Sequence, residues 1–149
     1  MWFNMISFLI VLGTFIAMEF VSWGTHKYIM HGFLWSLHKD HHQVDHKKKT
    51  QKNDLFFLIF ACPSIACIYI GWQDLSAILF VGIGIACYGL AYFIVHEIII
   101  HRRLPFLKHI KGDYITTIRR AHKVHHKTLH KHGATCFGML IVPKKYWVK

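Results

Sequence analysis

Fourteen histidines fall within residues 26–46 and 96–132 of the 149-residue chain and nowhere else. Ten of them form four regular clusters: His26 and His31; His38, His41 and His42; His96 and His101; His122, His125 and His126. In chain order the spacings read HxxxxH, HxxHH, HxxxxH, HxxHH, a weak internal repeat of one plan. Neutral imidazole binds iron, zinc, copper and nickel. Structural zinc closes at four ligands. Ten imidazoles therefore point to two metal ions, each with about five nitrogens and a position left open for chemistry. On a helix, residues i+3 and i+4 lie at about −60° and +40° from residue i. Each HxxHH is thus expected to aim three rings at one centre. An HxxxxH pair is about 140° apart on an ideal helix. It must clamp a site between helices or straddle a helix end or a bulge. Gly24 and Gly32 bracket the first pair, which suits irregular backbone there.

Other polar residues are weaker candidates. His46, His109, His130 and His132 stand outside the spacing and are read as polar packing residues. Asp40 and Glu97 lie within clusters and could orient a ligating imidazole as acceptors; the alternative is surface charge or helix pairing. Glu19 sits in an apolar run shortly before His26. An intramembrane carboxylate is costly and functional by default, unless it only ties two helices together. Asp113 and Tyr114 are expected at the surface. Phe56-Phe57 and Tyr92-Phe93 are expected to pack between helices, with the wall of an apolar tunnel as the alternative. Cys62, Cys67, Cys87 and Cys136 form no CxxC or CxH pair, so a zinc ribbon, a Rieske centre or a disulfide framework is not supported. They are read as small core residues.

The elements that carry these residues follow from charge and hydropathy. The chain is 54% hydrophobic yet has a net charge of +11. All 18 Lys and Arg lie in residues 27–52, 102–131 and 144–149. Between them run three apolar stretches, 5–23, 55–72 and 75–95. At about 1.5 Å per residue each matches the ~30 Å hydrocarbon core of a bilayer. The first is too long for a secretory signal and lacks its basic start and cleavage site. Buried helices of a soluble bundle would leave too little polar surface for water. The expected fold is a single-domain, all-α polytopic membrane protein with three to four membrane-embedded helices. The fourth segment, residues 134–142, is too short to span and is expected to dip into the interface. A tight turn at Gln73-Asp74 puts every Lys and Arg on one side, which the positive-inside rule makes cytoplasmic. The histidines then form a cytoplasmic helical cap. Basic residues flanking spans favour anionic lipid headgroups over nucleic acid.

Particular stretches carry a family resemblance. HKYIMHGFLWSLHKDHH (26–42), VHEIIIHRRLPF (95–106), RAHKVHHK (120–127) and FGMLIVPKKY (137–146) resemble the bacterial β-carotene hydroxylases. Those enzymes are the carotenoid 3-hydroxylase branch of the fatty acid hydroxylase superfamily. HxxHH alone is shared with desaturases, sterol oxidases and alkane hydroxylases; four boxes at these spacings are far more specific. The resemblance implies one hydroxylase domain over 1–149 and an O2-dependent, non-haem di-iron monooxygenase. It implies hydroxylation at carbon 3 of each β-ionone ring, taking β-carotene through β-cryptoxanthin to zeaxanthin. It implies two iron ions, O2 as co-substrate, and two electrons per hydroxylation from a ferredoxin or similar carrier. The family's ten ligands carry over onto the ten clustered histidines named above. A fatty acyl or sterol substrate is the nearest rival reading. A non-catalytic membrane metal or haem binder is a more distant one, since the spans lack the polar residues that transporters use.

Overall fold

The computed structural model describes residues 4–45, 47, 50–107 and 109–148. His46 lies outside them. The described residues form helices and loops with no strand. Helix α1 (Met5–Gly24) runs unbroken into a π-helical turn, Thr25–Phe33, and α2 (Trp35–His42) follows. A 3₁₀ turn, Lys52–Phe56, leads into α3 (Phe57–Gly71). Helix α4 (Ala77–Tyr92) continues into a second π-helical turn, Phe93–Ile100, and α5 (Asp113–His125) completes the cap.

Three continuous helices are long and apolar enough to cross a membrane: Met5–Phe33, Lys52–Gly71 and Ala77–Ile100. The first and third extend beyond the apolar runs, because each carries its HxxxxH pair as an extension of the span. Their outer faces are apolar as well. Met5 and Ile6 of α1, Phe57, Ile65 and Tyr69 of α3, and Leu90 of α4 are all exposed. A helix apolar all round, without protein to cover it, has lipid as its solvent. The same fact corrects the reading of the span cysteines as core. Cys62 and Cys87 are exposed and Cys67 is only partly covered, whereas Cys136 packs against the core of the cap; all four are free thiols. Hydropathy does not separate a core position from a lipid-facing one.

Helix α4 packs on both α1 and α3. A Cβ at Gly82 would stand 2.8 Å from the Ile68 backbone nitrogen, and one at Gly84 2.6 Å from the Thr14 Cβ. Small residues of this kind let membrane helices approach closely. Ser64 Oγ donates to the Gly82 carbonyl at 2.8 Å, a polar tie inside the apolar pair.

In the cap, α5 turns Thr117, Ile118, Ala121, His122 and His125 inward, one helical face. Ile118 and Ala121 pack with Ile99, Val142 and Tyr146. The expected fourth segment is no helix. Residues 134–142 form an irregular loop laid against the upper part of α1.

Candidate metal centre

The HxxxxH spacing is accommodated by π-helical turns. Leu34 N–H donates to the Ile29 carbonyl at 3.0 Å, and His101 N–H to the His96 carbonyl at 2.9 Å. An i→i−5 hydrogen bond inserts one residue into the turn, and it brings positions i and i+5 to the same side. In the second pair the bond joins the two histidines themselves. The bulge alternative read from the spacing is the one observed. After the first pair, Gly32 leaves helical geometry (φ −102°, ψ −124°). The chain then turns so that α2 lies beside the helix it came from.

The clustered histidines meet in two groups. His26, His31, His38, His42 and His125 each offer one nitrogen, all within 4.8 Å of one another. His41, His96, His101 and His122 do the same beside them. The His126 ring lies 4.5 Å from that of His122, 4.7 Å from that of His41 and 5.0 Å from that of His101, against one equally close ring of the first group, His42 at 4.5 Å; its buried Nε2 has no hydrogen-bond partner among the described residues. Its position makes it the natural fifth donor of the second group. His109, His130 and His132 are exposed and belong to neither group.

The expectation that each HxxHH aims three rings at one centre is corrected. His38 and His42 serve the first group while His41 serves the second; His122 serves the second while His125 serves the first. The reason is angular. Residues i and i+4 are about 40° apart, but i+3 is about 100° from i+4, so the middle ring reaches across. Each HxxHH helix therefore links both centres.

Hydrogen bonds fix the tautomers. His26 Nδ1 donates to the Phe137 carbonyl at 3.0 Å, His31 to Lys131 at 3.1 Å, His42 to Thr128 at 2.8 Å and His125 to Thr135 at 2.9 Å. His38 Nδ1 donates to Asn53 Oδ1 at 2.6 Å and His41 Nδ1 to Gln51 Oε1 at 2.9 Å. His96 Nδ1 faces Glu97 Oε1 at 2.5 Å. Acceptor oxygens on all seven Nδ1 atoms hold the proton there, which leaves Nε2 with its lone pair. Burial, reinforced by neighbouring imidazoles, favours the neutral form of four rings: it lowers His38 to about 2, His42 to about 4, His101 and His125 to about 3. Burial likewise holds His41, His122 and His126 well below the usual histidine range.

Those lone pairs converge. Nε2–Nε2 separations are 3.2 Å for His26–His38 and His38–His42, 3.1 Å for His31–His42, and 3.2 Å for His31–His125. In the second group the separation is 3.2 Å for His41–His96, and the Nε2 atoms of His101 and His122, rings outside the seven, stand 2.9 Å apart. Two acceptors at such distances repel unless a cation lies between them. With metal–imidazole bonds of about 2.1 Å, two ligands at right angles stand about 3.0 Å apart. The donor set, its spacing and the orphaned His126 nitrogen fit a bound metal ion.

Glu97 touches an imidazole directly, and Arg103 Nη1 donates to its other oxygen at 2.7 Å. Arg103 also spans Asp54, at 2.7 and 3.0 Å, and Asp54 accepts the Gln51 N–H at 3.0 Å. This chain of polar contacts joins the supports of His96 and His41. Asp40 takes a different place from the one expected. It accepts the N–H groups of Lys52 and Asn53 and no imidazole. Its short side chain is spent on the turn that presents Asn53 to His38. Phe56 and Tyr92 rest on His38 and His96, with ring centroids 6.1 and 5.0 Å apart, while Phe57 and Phe93 face outward. Sequence reasoning missed Gln51, Asn53 and the carbonyls of residues 128–137. A main-chain acceptor leaves no mark in residue type; a polar pair just before an apolar span was the one available signal.

Residues 11–143 match the family model described as Fatty acid hydroxylase. The chain belongs to the fatty acid hydroxylase family. The match takes in all four histidine clusters and the loop that supports them. This fatty acid hydroxylase family member is 39% identical over 135 residues to a beta-carotene hydroxylase of Pantoea ananas, covering 91% of this chain and 77% of that protein. It is 34% identical over 140 residues to a beta-carotene hydroxylase of Paracoccus sp. (strain N81106 / MBIC 01143), covering 93% and 86%. A chloroplastic beta-carotene hydroxylase 2 of Capsicum annuum is 30% identical over 143 residues, with 46% of that longer protein covered. No solved structure matches significantly.

Proposed function

We propose that this family member hydroxylates carbon 3 of the β-ionone rings of β-carotene, forming β-cryptoxanthin and then zeaxanthin, from a two-iron centre at the membrane surface. The observation that carries the reading is the convergence of ten buried or half-buried imidazoles on two adjacent points, in a chain similar to bacterial beta-carotene hydroxylases. His26, His31, His38, His42 and His125 would hold one ion; His41, His96, His101, His122 and His126 the other. Iron bound there would supply the activation of O2 that attack on an unactivated C–H bond requires. Each turnover consumes O2, two electrons and two protons, and releases the alcohol and one water.

The chain's own groups do the rest. Proton-locked Nδ1 atoms keep seven of the ten lone pairs aimed inward and prevent those rings from turning over during repeated turnover. Burial of the rings limits water at the oxidising centre. The first and third helices carry their histidines on extensions of the spans, so a polyene can stay in lipid while one end ring reaches the metals. The Lys and Arg of the cap support a cytoplasmic side for it, and its basic charge suits an acidic ferredoxin-type electron donor. The test is pigment chromatography of a bacterium that makes β-carotene, with and without this chain. Appearance of β-cryptoxanthin and zeaxanthin is expected. Unchanged β-carotene beside iron-loaded protein and a competent reductant would sink the carotenoid assignment and direct the search to fatty acyl substrates.

A further inference from the structure

Glu19 is a carboxylate in the first membrane-crossing helix, only 5% exposed, and donors surround it. The backbone N–H groups of Met139, Leu140 and Ile141 all donate to Oε1 at 2.9 Å. The Tyr88 hydroxyl of α4 donates to Oε2 at 2.8 Å. Without the carboxylate, three consecutive N–H groups, that of buried Met139 among them, would lose that bond. Gly138 makes the wrap possible. A Cβ there would stand 2.6 Å from the Ile141 carbonyl oxygen and 3.3 Å from Glu19 Oε1.

The residues just ahead of this wrap hold two imidazoles. The Thr135 carbonyl accepts from His125 Nδ1 and the Phe137 carbonyl from His26 Nδ1. Both rings belong to the five-histidine group. In the other group His41 is held by Gln51 and His96 by Glu97, neither of them in this loop. We propose that Glu19 is a positioning residue for the five-histidine centre, fixing the loop whose carbonyls set the tautomer and aim of His26 and His125. The inference rests on the two-metal reading above.

The experiment uses the full chain purified in detergent and titrated with cobalt(II), with chelator competition to resolve the two sites. Glu19→Ala and Gly138→Ala break the wrap from opposite sides. Both should keep wild-type helix content yet hold one ion at least about tenfold more weakly, leaving the other unchanged. Glu19→Gln keeps an acceptor oxygen and should fall between; Tyr88→Phe leaves the wrap intact and should bind nearly as wild type. Wild-type binding at both sites in Glu19→Ala and Gly138→Ala overturns the proposal. Equal weakening of both sites, or lost helix content, reduces Glu19 to a general structural tie and also overturns it. If Glu19→Ala does not accumulate, Glu19→Gln and Gly138→Ala decide. A wild-type chain that takes up no cobalt removes the two-metal reading itself, an outcome separate from any variant's.

Discussion

Asn53 holds His38 by a single side-chain oxygen, and among the described residues nothing else fixes that ring's Nδ1 proton. Asn53→Ala should therefore weaken metal binding by about 10- to 100-fold, read by chelator competition, while Asn53→Asp restores an acceptor and recovers most of it. His126→Ala should abolish product, because it removes an imidazole whose buried nitrogen has no hydrogen-bond partner among the described residues and is read as a ligand. His130→Ala, at an exposed ring outside both groups, should leave turnover unchanged; equal loss in both would show that the assignment of ligands is wrong. At this scale the ten rings were legible because their spacing is repeated and their type is rare. Their division between centres was not. It depends on the 100° between positions i+3 and i+4 and on where two helices meet. The acceptors were hidden for another reason, since carbonyls of residues 128–137 hold four of the rings. Asp40 misled because a carboxylate between histidines can as readily cap a neighbouring turn.

The π-helical turns are the elements on which each HxxxxH depends. Deleting Ile98 turns the second motif into HxxxH, which an ordinary α-helix would place about 40° apart on one face. The rings would still meet, but everything after the deletion would rotate by one residue relative to α4. The expected outcome is membrane-inserted protein that keeps one metal site and loses the one built on His96 and His101; metal analysis reading two ions per chain would contradict this. The span helices were legible, since apolar runs and missing charges fix their number. Their ends were not, because the polar histidines made the last turns of the first and third helices look like loops. The run 134–142 misled in the opposite sense. Its apolar residues cover α1 and the core of the cap, which an irregular strap does as well as a helix.

For the whole molecule, the charge distribution makes a sided prediction. Alkaline phosphatase fused at Gln73 should be active in a bacterial host, and fused after the chain's last residue inactive, if every Lys and Arg faces the cytoplasm. The reverse pattern would put the histidine cap outside and exclude a cytoplasmic electron donor. The protein should also stay with membranes through high salt and alkaline carbonate and leave them only in detergent, as the apolar outer faces of its three long helices require. The tie between Glu19 and residues 139–141 adds a condition in time. The two partners are 120 residues apart at Met139, which a ribosome adding about 5–20 residues per second covers in roughly 6–24 s. Throughout that interval the carboxylate lacks its three backbone donors, although the Tyr88 hydroxyl is made 69 residues after it. On the two-metal reading, the five-histidine centre is complete only once that loop has been made, and a message cut short before it would yield a polypeptide without the carbonyls that hold His26 and His125.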